Sequence, residues 1–207
     1  YSVKGDGSLL SLRLEMSADG HLGELQLSTL RLHFAGERYI SQMLYLSLLR
    51  NLESIELVPL NAAGKPLDGV GGRPMAFKMP GDRVQPVGFA EEEALIPYPL
   101  NTFRGYRYLQ EYFAFQDKFL FVDVNGLDML KALPPDTLKQ MRGLELRFEI
   151  RKSGIQRLRP TLDNVKLYCT PIVNLFKHDA LPIRLDGKQD EYLLLPAEYE
   201  QEHCGVF

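Results

Sequence analysis

The chain has 207 residues, 45% of them hydrophobic and 25% charged, and a formal net charge of -3. That apolar content can build a sizeable core, while the slight acidity excludes a surface designed to gather nucleic-acid phosphates. Nowhere does an apolar run reach the roughly 20 residues of a bilayer-spanning helix, so direct membrane insertion is not expected.

The start, YSVKGDGSLLSL, has neither an initiator Met nor a signal-peptide pattern, and an interior fragment of a longer protein is expected. Leu10, Leu12, Leu14 and Met16, then Leu30, Leu32 and Phe34, recur at every second residue, the period of a strand. Ala18-Asp19-Gly20 between them carries turn chemistry, so a hairpin or short meander is predicted. After Gly36 the spacing changes to three and four residues (Tyr39, Ile40, Met43, Leu44, Leu48), which predicts a helix over about 38–51. ESIELVPL returns to alternation, with Pro59 barring a central position late in that strand.

Residues 61–102 are rich in Gly and Pro and read as loops and short edge strands. Asn101 or Thr102 can cap a helix over 103–113, with Tyr106, Leu109 and Phe113 on one face that must be covered. KFLFVDV is apolar on both faces and predicts a buried central strand. Most of this aromatic stretch (Tyr106, Phe113, Phe119, Phe121) is expected to fill a core between helix and sheet. A short helix over Pro134 to Met141 and the alternating strand GLELRFEIRK follow, then a strand in NVKLYCTPIVNLF ending near Pro171. Beyond His178 the pattern weakens, with one further strand from Tyr192 to Leu195.

Chemistry is hard to find along this chain. Glu91, Glu92 and Glu93 are adjacent, so they cannot oppose one another across a substrate as an acid-base pair must. His21, His33, His178 and His203 form no metal-ligand spacing, and Cys169 and Cys204 have no zinc-finger partners. The two thiols suit a reducing compartment. Gly69-Val70-Gly71-Gly72-Arg73 lacks the ending and context of a phosphate loop, and no serine sits in a nucleophile motif. The cations of Arg147, Arg151, Lys152, Arg157 and Arg159 are offset by Glu145, Glu149 and Asp163. Catalytic, metal and cofactor residues are therefore none. The aromatic surplus of Tyr108, Tyr112 and Phe115 suggests instead a face that another protein covers.

VGFAEEEALIPYP followed by FRGYRYLQEYFAFQDKFLFVDVNGL resembles the TssF (VasA, ImpG) family, a baseplate subunit of bacterial type VI secretion systems. The matching positions include Gly88, Phe89, Glu91, Glu92, Pro97, Tyr98, Gly105, Arg107, Glu111, Tyr112, Phe113, Lys118, Phe119, Phe121 and Gly126. LRLHFAGE and CTPIVNLF flank them, and Gln116 departs from the proline more usual there. The resemblance implies no catalysis. It implies a cytoplasmic subunit of a membrane-docked contractile machine that pairs with a TssG-like partner and with a second copy of itself.

The expected fold is α+β and β-rich, with two sandwich-like antiparallel halves, each carrying a packed helix. Residues 1–104 would form the first half and 105–177 the second, with 178–207 a linker into a following domain. The candidate interface is Glu91, Glu92, Tyr98, Arg107, Tyr108, Glu111, Tyr112 and Phe115. A carbohydrate-binding sandwich using exposed aromatics, or a hydrolase pairing Glu91 to Glu93 with Asp123, are the alternatives.

Overall fold

The computed structural model describes residues 1–5, 8–16, 20, 27–98, 103–151, 159–177, 179–185, 187, 191–192, 195 and 197. Its elements run β1 (Ser2–Gly5), β2 (Leu9–Glu15), β3 (Thr29–Phe34), α1 (Arg38–Arg50), β4 (Leu52–Leu60), β5 (Phe77–Pro80), β6 (Val84–Pro86), α2 (Arg104–Ala114), β7 (Phe121–Asn125), α3 (Pro135–Gln140), β8 (Gly143–Ile150) and β9 (Val165–Lys166). The α+β class and the two antiparallel sheets are as expected, with orders β1-β2-β8-β4-β5 and β6-β7-β3-β9.

The sheets are not successive along the chain. β8 runs between β2 and β4, pairing Leu12 with Leu146 on one side and Leu57 with Leu146 on the other. β3 pairs with β7, Leu32 opposite Val122. Each sheet thus mixes strands from both sides of residue 104, so that boundary does not separate them. β2 and β3 do not pair with each other, since they belong to different sheets, and most of the predicted turn region between them lies outside the described residues. Strand period tells which face a residue takes, and it carries no information about the strand's neighbour.

Clustering of contacts gives two compact units, Tyr1–Pro171 and Ile172–Phe207. In the first, one apolar core joins both sheets and α1, with Leu12, Leu32, Phe34, Leu44, Leu48, Leu57, Val122, Leu144, Leu146 and Phe148 all close to fully buried. β8 alternates as predicted, with Leu144, Leu146, Phe148 and Ile150 buried and Glu145, Arg147 and Glu149 only half-buried. On that outer side Arg147 sits between Glu56 (3.1 Å) and Glu145 (2.9 Å), and Arg151 meets Glu53, so these cations have partners within the sheet. In the second unit, Leu181 N donates to Leu195 O at 2.8 Å and Ala197 N to Asp179 O at 2.9 Å, while Leu193 and Leu194 lie outside the described residues.

Pro59 fits late in β4 because its carbonyl accepts from Leu67 N, away from β8, and β5 has already ended opposite Leu57. The missing N–H on that side therefore costs no bond to β8. Two strands are shorter than expected. Gln116–Phe119 is a 3-10 turn, leaving β7 to begin at Phe121, and the strand after Asn164 is only Val165–Lys166.

His33 in β3 stacks on Phe121 with ring centroids 4.2 Å apart. Burial lowers its pKa below the ordinary 6.5, only partly opposed by Asp117. A folded value below the unfolded one means its contribution to stability is present above about 6.5 and is lost as pH falls through the folded value. Urea midpoints should therefore drop between pH 7.5 and pH 5.5 by more in the parent than in His33→Gln. Equal drops would remove His33 from the account.

Candidate functional site at the strap and helix α2

The segment Val87–Tyr98, here called the strap, connects β6 to the approach of α2. It opens at Gly88, whose φ of +101° a side chain rarely adopts and where a Cβ would stand 3.1 Å from Lys118 O. Glu91–Glu93 then forms a 3-10 turn. The Glu93 carboxylate folds back to accept from Gly88 N at 2.6 Å and Ala90 N at 3.3 Å. Its other oxygen accepts from Arg31 at 3.2 Å, and Arg31 grips Asp123 through two bonds of 2.8 Å. The strap is thereby tied to the second sheet. Glu93 and Asp123, the carboxylates a hydrolase would need, both face the same arginine.

The other ties run to α2. Helix period predicted its span within one residue, but Phe103 is the N-cap and makes no side-chain capping bond, while Asn101 and Thr102 lie outside the described residues. The expectation that its aromatic face fills a core is overturned. The buried residues of α2 are Arg107 and Glu111, one turn apart on the inner side. Phe103, Tyr106, Leu109 and Phe113 are exposed, Phe113 to 78%. Only Phe119 and Phe121, beyond the helix, are buried as expected.

The helix turns Arg107 and Glu111 inward because the strap offers them backbone partners. Glu111 accepts from Leu95 N at 2.8 Å and Ile96 N at 3.2 Å, and its second oxygen receives Lys118 Nζ. Glu111 and Lys118 are each only 1% exposed. Desolvation pushes the Glu111 carboxyl up, but the Lys118 ammonium and the two strap amides outweigh it and hold it below the ordinary range. Arg107 donates to Ala90 O at 3.2 Å and lies 4.9 Å from the Tyr108 ring, whose hydroxyl donates to Phe89 O at 2.8 Å. At the surface Arg104 meets Glu91 at 3.1 Å.

Beside α2 an open groove of about 360 Å³ runs to α1, its largely apolar walls including Tyr45, Phe89, Tyr108, Tyr112, Phe119 and Leu120. Phe89 packs edge-on to Tyr108 and tilted to Phe119. Of the sequence-predicted interface residues, Glu91, Glu92, Tyr112 and Phe115 are exposed, and Tyr98 and Tyr108 are half-buried. Arg107 and Glu111 are buried within this chain, bound to the strap and to Lys118. The outer stripe was visible as Tyr106, Leu109 and Phe113, with Phe103 extending it. Arg31, Glu93 and Asp123 as a binding set were not, because their pairings cross long stretches of chain, and Lys118 was missed because its segment reads as part of a strand.

The comparisons with known proteins point to one class, a component of the type VI secretion machine. The family described as "Type VI secretion system, TssF" matches residues 2–207. A "Type VI secretion system component TssF1" from Pseudomonas aeruginosa is 32% identical over 187 residues, covering 88% of this chain and 27% of that protein. A chain from a cryo-electron microscopy structure of the TssK-TssF-TssG baseplate subcomplex superposes with a TM-score of 0.65 at 29% identity, covering 95% of this chain and 35% of that one. The chain belongs to the TssF family. It spans about a quarter of the curated relative's length and about a third of the solved chain's.

Proposed function

We propose that the chain is part of a structural baseplate subunit that works in the cytoplasm on a membrane-docked contractile machine, without catalysis. It assembles with a TssG-like partner and with a second copy of itself. Family membership supports this role, and one observation supports the place of contact: α2 faces outward with Phe103, Tyr106, Leu109 and Phe113 and buries Arg107 and Glu111. Aromatic anchors on a face without charge fit a protein surface of the same character. Taking their exposed fractions with roughly 200 Å² per aromatic side chain, this face and the neighbouring Tyr112 and Phe115 offer on the order of 600 Å², close to one side of a standard interface.

The test is light scattering after size exclusion of the intact protein co-expressed with a TssG-like partner. A hetero-complex holding more than one copy is expected, and Tyr106→Ser with Phe113→Ser should weaken it by roughly thirtyfold, the effect of losing a hot spot of about 2 kcal/mol. Unchanged assembly by a variant with the parent's circular dichroism would move the contact away from α2. A lone monomer with every partner would remove the structural role itself.

A further inference from the structure

Among the described residues, the apolar core of the first unit contains none between Gln85 and Phe119. Within that interval Val87 and Ile96 are the buried apolar side chains of the strap, and α2 buries only charged ones. Helix α2 rests chiefly on the Gln116–Phe119 turn, whereas α1 packs on strands of both sheets. What holds strap and helix, beside the ring contacts of Phe89 and Tyr112 with Phe119, is therefore a set of polar ties: Glu111 to the amides of Leu95 and Ile96 and to Lys118, Arg107 to Ala90, and Tyr108 to Phe89. Toward the sheets the strap's charged tie is Glu93 to Arg31.

Apolar burial gives a cooperative core its high opening free energy, and a segment outside that core opens below the global limit. A directional hydrogen bond fails all at once when its partner moves. Glu111 binds the strap with one oxygen and the 116–119 turn with the other, so strap and helix share one carboxylate. We propose that the strap and α2 open and close as a single latch on an otherwise closed fold, with the Glu111 carboxylate as its catch.

Two consequences follow at named atoms. Opening moves Phe89 and Tyr108 together, because they share a hydrogen bond and a ring contact and stand side by side in the groove wall. The aromatic stripe is carried on the same moving body, so a partner gripping the stripe can pull the groove open. This mobility does not depend on which protein grips the stripe, and a static contact at α2 would leave the baseplate role intact.

Native-state hydrogen exchange of the intact protein tests this. The amides of Gly88, Leu95, Ile96 and the last two turns of α2 should exchange with one common opening free energy, below that of β8. Tyr108→Phe, which deletes one neutral tie, should speed both sets by about fivefold, and Glu111→Gln by roughly a hundredfold, and β8 should follow by no more than the same factor because global unfolding breaks the same ties. The latch is overturned if strap and helix amides exchange with different opening free energies in the parent protein. It is also overturned if both exchange only as fast as β8, or if Tyr108→Phe accelerates one set alone. The parent measurement decides the matter even where Glu111→Gln does not fold.

Discussion

Phe148→Ala is expected to cost about 3–5 kcal/mol, because it leaves a large cavity where little can collapse. Phe148 is fully buried in β8, opposite Leu10 on one neighbouring strand and Ile55 on the other. Both of those strands are fixed by their own pairings, so neither can close the gap. A domain's whole stability is of the order of 5–15 kcal/mol, and the variant should lose a large part of it. Urea unfolding would show this as a lower midpoint at unchanged slope. A loss below about 1 kcal/mol would mean that β8 is not the centre of the core.

Lys118→Met is the second large effect, expected at about 3–5 kcal/mol because it strands the Glu111 carboxylate among buried groups with no cation. The Leu95 and Ile96 amides still bind that carboxylate, but they were sharing its charge with Lys118. In a double-mutant cycle with Glu111→Gln, the pair of changes should cost clearly less than the two single losses added. Additive losses would show that the two groups act separately. Glu111 also sets an acid limit. Its folded pKa lies below the ordinary 4.5, so its contribution is whole above that value and is lost as pH falls through the folded one. Parent stability should lose this component below pH 4.5, and Lys118→Met should show less of it.

Several elements were legible because a single period governs them. α1 and β8 were placed within a residue or two, since helical spacing in the first and strict alternation in the second leave one solution. The extent of α2 was equally legible and its orientation was not. The amphipathic rule turns the apolar side inward, but here Arg107 and Glu111 find strap backbone to bind while the aromatics face out. The available signal was two opposite charges one turn apart beside an EEE loop that needed partners. KFLF read as strand because its apolar residues run without a break into β7, although Lys118 and Phe119 are buried side by side in a 3-10 turn. Strand partners were illegible throughout, since β2 and β8 pair across more than a hundred residues of chain.

That wide pairing also governs the order of events at the ribosome. β1, β2, β4 and β5 all emerge before β8, the strand that must lie between β2 and β4. Until then the nascent chain holds two half-sheets with open hydrogen-bonding edges, β2 with a row of leucines and β4 with leucines and Ile55 waiting for cover. Closing that gap requires a late, long-range insertion, which makes folding slow and leaves the unfinished chain prone to join another one. The strand that joins the two halves of its sheet is thus also the one whose delayed synthesis leaves the chain most exposed to aggregation.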